Sequence, residues 1–264
     1  MEPSETEPPK MHPSISRIIS YPKIAQRTPE WYSYRKRRVT ASEASTIIAQ
    51  GKGYTRIFEE KVGIRESNFS SKFMAIGTDN EEVVVELYRK QYPDEEVFHD
   101  LSIIPHSKHD YVAASLDACT ASGINVEIKT VFKDKFVKVS KAYRDQVQLQ
   151  MEVADLDRTH LVQHYIRMPG QPIQVHEIER DPTWFSKNSD IFKKFVGEVR
   201  SFFPFDVEDF EDQVETFKRL RTFESVESSA ITMFPFDLCD FKCQTDCAGE
   251  GFDHDVEMYS FEEG

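Results

Sequence analysis

Two acidic residues and a lysine lie close together within residues 114–129, whose sequence is ASLDACTASGINVEIK. Glu127 and Lys129 are two positions apart in a segment, residues 124–132, that is rich in β-branched and apolar residues. Side chains alternate between the two faces of a β-strand, so these two would share one face. Asp117, near the end of a preceding strand, can reach the same face. Charges placed beside an apolar core must be paired.

This cluster has two interpretations. One is a structural salt bridge at the end of a strand, because ionic networks of that kind are common. The other is a Mg²⁺ site, with hard oxygen ligands from Asp117 and Glu127 and with Lys129 beside an activated water. The pattern alone leaves both interpretations open.

The elements around the cluster are predicted from turn residues and hydrophobic periodicity. Residues 121–123, Ala-Ser-Gly, are typical of a turn between two strands, and Thr28 and Thr40 are typical of helix starts. Further helices are predicted at 75–93, 143–155 and 182–203, and strands at 95–105, 111–118, 124–132, 158–167 and 173–180. This order indicates one α/β domain with a mixed central sheet flanked by helices.

Composition limits the class of protein. The 264 residues are 30% charged and 39% hydrophobic, which is ordinary for a soluble globular protein with a core. We find no apolar run long enough to span a bilayer and no signal peptide, so we expect an intracellular protein of the cytoplasm or nucleus of a host cell, not a secreted one. Four cysteines, three of them near the C-terminus, do not indicate a disulfide framework.

Charge is distributed unevenly along the chain. The net charge is −13, and residues 205–264 hold 17 acidic and 4 basic residues, which leaves 29 of each in residues 1–204. The main body is therefore neutral. Its basic clusters, RKRR at 35–38 and KDKFVKVSK at 133–141, could meet phosphates, although exposed lysines and arginines often only solvate a surface.

Five segments stand in an order that resembles one nuclease family. They are RKRRVTAS (35–42), GTDNE (77–81), SLDA (115–118), EIK (127–129) and YRDQVQLQM (143–151). Together they resemble the lambda-exonuclease or YqaJ-type viral recombinase branch of the PD-(D/E)XK nucleases, over roughly residues 31–199. The resemblance implies a restriction-endonuclease-like PD-(D/E)XK core, and it favours the metal site over the salt bridge.

The resemblance also implies a role for each catalytic residue. The implied catalytic residues are Glu81, Asp117, Glu127, Lys129 and Gln146. Asp117, Glu127 and the backbone carbonyl of Ile128 would bind Mg²⁺, with Mn²⁺ possible, because oxygen ligands accept both metals. Lys129 would hold or deprotonate the attacking water, Glu81 would orient that water or complete the metal shell, and Gln146 would position the site.

A second set of residues would bind the substrate. A guanidinium and a hydroxyl at a helix N-terminus suit an anion, although Ser42 could be only a helix cap and Arg35 only a surface residue. The resemblance implies that the anion is the 5′-phosphate of the digested strand. The residues implied for 5′-phosphate and DNA binding are Arg35, Thr40, Ser42, Ser115 and Lys135.

The implied activity is a metal-dependent 5′ to 3′ exonuclease acting on double-stranded DNA in recombination or repair. It would release mononucleotides and leave a 3′ single-stranded overhang. The implied partners are double-stranded DNA, a single-strand annealing recombinase and two further copies of the chain in a homotrimer. Two alternatives stay open: a less selective endonuclease or RNase of the same fold, and a catalytically silent DNA-binding protein.

We expect three regions: a flexible N-terminal arm at residues 1–26, the nuclease domain at 27–204 and an acidic C-terminal extension at 205–264. The extension could dock a partner, cover a basic groove, or be a solvated disordered segment. Cys239, Cys243, Cys247 and His254 within it could hold zinc or an iron–sulfur cluster, although their spacing matches no strong zinc pattern.

Overall fold

A computed structural model of the protein describes residues 11–26, 28–65 and 72–202, with side chains from residue 80 onward in the last range. The helices are α1 Pro13–Ser20, α2 Pro29–Lys36, α3 Ala44–Ala49, α4 Lys52–Lys61, α5 Lys72–Gln91, α6 Lys141–Ala154 and α7 Trp184–Phe202, and a 3₁₀ turn occupies Ala41–Glu43. The strands are β1 Val39–Thr40, β2 Val97–His99, β3 Ile104–Pro105, β4 Val112–Ala114, β5 Ala118–Thr120, β6 Ile124–Val131, β7 Arg158–Tyr165 and β8 Ile173–Glu179.

The central sheet has five strands in the order β2-β5-β6-β7-β8. β6 and β7 run parallel, whereas the other neighbouring pairs run antiparallel. A smaller sheet has the order β1-β4-β3, with β1 parallel to β4. The prediction of an α/β domain with a mixed central sheet is therefore confirmed.

Helices cover both faces of the central sheet. Val84, Val85 and Tyr88 of α5 pack on one face, against Val126 and Ile128 of β6. On the other face, Val147 and Met151 of α6 pack against Leu161 and Ile178. Because side chains alternate along β6, Glu127 and Lys129 point to the opposite face, toward α6.

Two predicted strands are each divided in the structure. The strand predicted at 95–105 separates into β2 and β3, with a left-handed backbone at Asp100 (φ 57°) between them. The strand predicted at 111–118 separates into β4 and β5, which belong to different sheets. The chain therefore crosses from one sheet to the other at residues 115–117. Asp117 therefore directly precedes the first residue of β5, whereas the sequence predicted it near the end of one long strand.

The prediction of a flexible N-terminal arm is wrong for residues 13–20, which form α1. Ile15 and Ile18 are 0% and 2% exposed and belong to the largest core cluster. Ser14 Oγ donates a hydrogen bond to the carbonyl of Asp155 at 2.8 Å. Pro13 occupies the first turn of the helix, where a missing N–H is tolerated, so this proline marks a helix start instead of disorder.

Residues 1–10 and 203–264 lie outside the described residues. They contain the whole of the predicted acidic extension, with its three cysteines, so the extension and the zinc or iron–sulfur interpretation of those cysteines stay predictions. Among the helices that the structure describes, none combines the length and the apolar character needed to cross a bilayer.

Candidate active site

The β5–β6 hairpin places the two carboxylates together. Its turn includes Gly123, whose φ of 96° belongs to the left-handed region that glycine tolerates. Ala118 pairs with Val126 in antiparallel register, which sets Asp117 opposite Glu127 on one face of the hairpin. Asp117 Oδ2 accepts a hydrogen bond from the backbone N–H of Ile128 at 2.7 Å.

Glu127 is the most heavily contacted of these groups. Its side chain is 2% exposed, and its Oε1 accepts a hydrogen bond from Gln146 Nε2 at 2.6 Å. The Nζ atom of Lys129 lies 2.6 Å from the same oxygen. The other oxygen, Oε2, accepts a hydrogen bond from Gln150 Nε2 at 2.5 Å. Both oxygens of this buried carboxylate are therefore fixed in place.

Sequence reasoning missed Gln150. This side chain is fully buried, and it also donates to the carbonyl of Ser115 at 3.0 Å and accepts from Asn125 Nδ2 at 3.0 Å. Residues four apart lie on one face of a helix, so the spacing from Gln146 was a usable signal. Gln148, between the two, bonds to the backbone of Glu179 and Asp181 instead.

The cluster has an excess of negative charge. Burial raises the pKa of Asp117 well above its usual range, and the charges of Glu127 and Glu81 raise it further against the opposing effect of Lys129. Burial alone disfavours a charged Lys129, but Glu127 and Asp117 outweigh this effect and raise the pKa of its ammonium. The positive charge of Lys129 therefore offsets part of the negative charge of the two carboxylates.

Lys129 also contacts an aromatic ring. Its Nζ lies 5.0 Å from the centroid of the Tyr143 ring on α6, within the range of a cation–π interaction. The same helix therefore supplies an aromatic neighbour for Lys129 and two amide donors for Glu127.

The donor set fits a hard divalent cation. Within the described part of the chain, no group of three or more His, Cys, Asp or Glu side chains is arranged to hold a metal. Mg²⁺, however, is often bound through one or two carboxylates, with water and substrate phosphates completing the shell. The N–H and C=O of one strand residue point to the same side, so the Ile128 carbonyl points toward Asp117, which accepts from the Ile128 N–H. A cation there would also reduce the excess negative charge.

A second polar cluster surrounds Arg35. The Arg35 side chain is 12% exposed, its guanidinium lies 4.4 Å from the Trp31 ring centroid, and its Nη2 lies 3.6 Å from Glu43 Oε1. Lys61, which sequence reasoning missed, lies 2.9 Å from Glu43 Oε2 and donates to the carbonyl of Arg35 at 2.9 Å. Two basic side chains thus share one carboxylate, which formally leaves one positive charge for an anion.

The three hydroxyl residues predicted for this pocket have different positions. Ser42 is exposed in the 3₁₀ turn that precedes α3, whereas Thr40 is 1% exposed and its N–H donates to Glu43 Oε2 at 2.9 Å. Within the described residues, the buried Oγ of Ser115 has no hydrogen-bond partner. Gln150 joins the Ser115 carbonyl to Glu127, so Ser115 lies next to the carboxylate cluster of Asp117 and Glu127.

The structure therefore brings most predicted site residues into two neighbouring groups. Asp117, Glu127, Lys129 and Gln146 lie together, and the charge of Glu81 on α5 acts on Asp117. Lys135 is apart from both groups, on an exposed loop at residues 132–140 between β6 and α6.

A mixed sheet with an aspartate, a glutamate and a lysine on one central hairpin defines a nuclease of the PD-(D/E)XK type. Residues 30–157 match the model of the YqaJ-like viral recombinase domain. This match confirms the resemblance seen in the sequence and supports a nuclease, that is, a DNA-hydrolysing enzyme.

Solved structures share the fold. One is the crystal structure of LHK-Exo in complex with dAMP, which is 22% identical in sequence and has a TM-score of 0.58. The alignment covers 74% of the present protein and 98% of the LHK-Exo chain. A second structure of LHK-Exo, an alkaline exonuclease from Laribacter hongkongensis, is 21% identical, with a TM-score of 0.57 and the same coverage. The search of curated proteins found no match.

Proposed function

We propose that the protein is a metal-dependent 5′ to 3′ exonuclease that acts on double-stranded DNA, releases mononucleotides and leaves a 3′ single-stranded overhang. The observation that carries this proposal is the convergence of Asp117, Glu127 and Lys129 on one hairpin beside the Arg35 cluster. Two features of a relative support it: LHK-Exo is described as an alkaline exonuclease, and one of its structures holds dAMP, a mononucleotide.

Asp117, Glu127 and the carbonyl of Ile128 would hold Mg²⁺ or Mn²⁺. Such an ion lowers the pKa of a bound water and stabilises negative charge on a phosphate. Lys129 would hold the attacking water and screen the charge that develops on the phosphate. Gln146 and Gln150 would keep the Glu127 carboxylate in place, because each donates to a different oxygen of it. Glu81 would orient the water.

The polarity of digestion would come from the Arg35 cluster. Arginine binds phosphate bidentately, and the charge left by Arg35, Lys61 and Glu43 suits a terminal 5′-phosphate. Ser42, exposed in the 3₁₀ turn next to Glu43, would add a hydroxyl contact, and so would Ser115, whose buried Oγ has no hydrogen-bond partner among the described residues. Thr40 would act through its backbone bond to Glu43. Lys135 would contact the DNA backbone from its loop.

The product suggests partners. A 3′ overhang is the substrate of a single-strand annealing recombinase, so we propose such a protein as the next component of the pathway, inside a host cell. A homotrimer that encircles DNA would make digestion processive. A solution mass of one chain would remove the trimer from the proposal.

Linear duplex DNA labelled at either end, with and without a 5′-phosphate, tests the proposal. Wild-type protein with Mg²⁺ should release labelled mononucleotides from the phosphorylated 5′ end, and Lys129→Ala should abolish this release. Lys90→Ala, an exposed lysine on α5, is the matched control and should keep full activity.

Each other result would replace the proposal with an alternative. Internal cuts that ignore the 5′-phosphate, or cleavage of closed circular DNA or RNA, would indicate a less selective nuclease with the same metal site. Binding to DNA without cleavage at any divalent metal concentration would indicate a catalytically silent DNA-binding protein.

A further inference from the structure

The loop at residues 132–140 presents an aromatic ring to solvent. Among the described residues, three large hydrophobic side chains are exposed: Ile19 at 41%, Val83 at 51% and Phe136 at 53%. Phe136 is the most exposed of them and the only aromatic one. Neither the catalytic cluster nor the Arg35 cluster uses it.

The ring is held in this exposed position by the fold beneath it. It meets the ring of Tyr165 edge to face, with centroids 4.9 Å apart and an interplanar angle of 84°. Tyr165 is fully buried, and its hydroxyl accepts a hydrogen bond from the backbone N–H of Val137 at 3.0 Å. The residue next to Phe136 is thus anchored to the central sheet, which fixes the outward direction of the ring.

Basic side chains lie in the same loop as the ring and in a turn that contacts this loop. Lys135 and Lys138 are exposed in the same loop, and Asp134 is its one acidic residue. Arg167, in the turn between β7 and β8, is exposed with its guanidinium 5.9 Å from the Phe132 ring. An aromatic face among cations is suited to a polyanion that carries flat rings.

The loop adjoins the catalytic cluster at both of its ends. It follows β6, which carries Glu127 and Lys129, and it ends at Ser140, the N-cap of α6, which carries Gln146. From Lys129 to Phe132 the chain advances roughly 10 Å at the rise of a strand. A nucleic acid strand that leaves the catalytic cluster in this direction would meet the loop within a few nucleotides.

We infer that this loop binds single-stranded DNA, with a base stacked on Phe136 and phosphates beside Lys135 and Lys138. Proteins that bind single strands without sequence preference combine stacking aromatic side chains with a basic groove. A paired duplex hides its base faces, so an exposed ring selects for unpaired bases. The inference rests on the proposed function, because the 3′-ended strand left by digestion is the single strand in question.

Fluorescence anisotropy with a labelled oligothymidine tests the inference. The oligonucleotide carries a 5′-hydroxyl and the buffer contains EDTA, so neither the 5′-phosphate site nor the metal contributes. Phe136→Ala should weaken binding about tenfold, in line with the loss of one stacked base. Phe136→Trp, which keeps an aromatic face, should bind within about twofold of wild type. Ile19→Ala, an exposed apolar residue on α1, is the matched control and should bind as wild type does.

A salt titration tests the basic part of the surface. The double variant Lys135→Ala/Lys138→Ala should reduce the slope of log affinity against log salt by about 1.4, since each phosphate contact with a single strand contributes about 0.7. A melting curve for each variant shows that it is folded. An unchanged slope would overturn the phosphate contacts.

Other results would overturn the stacking inference itself. These are wild-type affinity in Phe136→Ala, an equal loss in Ile19→Ala, or an equal loss by Phe136→Ala on blunt duplex DNA. The two proposals fail separately. Absence of mononucleotide release from wild type would remove the exonuclease and leave Phe136-dependent binding measurable, whereas release with no Phe136-dependent binding would remove only the present inference.

Discussion

Gln150 connects the Glu127 carboxylate to the backbone of Ser115 through a single amide. Its nitrogen donates both to Glu127 and to the carbonyl of Ser115, and its oxygen accepts from Asn125. Neither a shorter polar side chain nor an apolar one can make all three bonds. We therefore regard Gln150 as the residue that fixes the Glu127 carboxylate relative to Ser115.

Gln150→Ala should lower activity and stability together. Loss of the amide leaves Glu127 Oε2 and the Ser115 carbonyl without this donor, which should cost about 1–3 kcal/mol in the free energy of unfolding. We expect kcat on phosphorylated duplex DNA to fall by about tenfold or more. Gln148→Ala, two residues away with bonds to other partners, should keep near wild-type kcat. Equal effects of the two substitutions on kcat would contradict the role given to Gln150.

Metal binding should appear as thermal stabilisation. A ligand that binds only the folded state increases the free energy of unfolding, by about 2.7 kcal/mol when its concentration is one hundred times its Kd. The melting temperature rises as a result. Mg²⁺ should therefore raise the melting temperature of wild type, and Asp117→Asn should lose most of this increase. Asp134→Asn, an exposed acid outside the cluster, should keep it. A magnesium response in Asp117→Asn equal to that of wild type would place the ion elsewhere.

The sequence was sufficient to predict some residues of the candidate site but not others, and the difference has a physical reason. Asp117, Glu127 and Lys129 lie on one hairpin, so strand alternation and one turn were sufficient to bring them together. Lys61 bonds to a carbonyl 26 residues away and Gln150 to one 35 residues away. No local pattern encodes such partners, because they depend on how helices pack.

At the scale of elements, α4 determines the conformation of the Arg35 segment. Lys61, at the last position of α4, donates to the carbonyls of Arg35 and Arg38 at 2.9 and 2.8 Å. These bonds hold the end of α2, and the pair with Glu43 holds the 3₁₀ turn that follows.

Lys61→Met should disturb this arrangement while keeping the volume of the side chain. Removing one member of a buried ion pair is strongly destabilising, so we expect a loss of about 3 kcal/mol in urea unfolding. The preference for phosphorylated over unphosphorylated 5′ ends should fall as well. The control is Lys52→Met, at the exposed first position of the same helix. An unchanged preference in a folded Lys61→Met protein would show that Arg35 does not depend on α4.

α1 offers a matched pair of isoleucines. Ile15 is fully buried and Ile19 is 41% exposed, and both lie in one short helix. Ile15→Ala should destabilise the protein by about 2–4 kcal/mol, whereas Ile19→Ala should change the free energy of unfolding by less than about 0.5 kcal/mol. Urea denaturation measures both. Equal, small effects would mean that α1 contributes little to the stability of the folded domain.

Elements were predicted best where periodicity was long. The helices at 141–154 and 184–202 and the strands at 124–131 and 158–165 agree closely with their predicted positions. α1 was missed because a helix of eight residues between prolines has too short a pattern. The breaks within 95–105 and 111–118 were missed because a strand that changes sheets keeps its apolar composition on both sides of the change.

At the scale of the whole molecule, residues 1–204 and residues 205–264 differ in net charge. Residues 205–264 carry the entire net charge of −13, and the remainder is neutral. Removal of residues 205–264 should raise the association rate with DNA, on the order of tenfold at low salt, because the long-range repulsion is lost. The difference in association rate should disappear near 1 M salt, where the Debye length is only about 3 Å. Stopped-flow binding at several salt concentrations measures this, and equal rates at low salt would exclude an electrostatic effect of the extension.

The position of α1 also affects the order of events on the ribosome. The backbone N–H of His12 donates to the carbonyl of Ala121 in the turn between β5 and β6, and Ser14 donates to a carbonyl 141 residues further along the chain. At 5–20 residues per second, translation of that stretch takes roughly 7–30 seconds. α1 is therefore synthesised well before its partners and docks only after the β5–β6 hairpin has been made. Slow codons before residue 155 would lengthen the time for which the apolar face of α1 is available to chaperones.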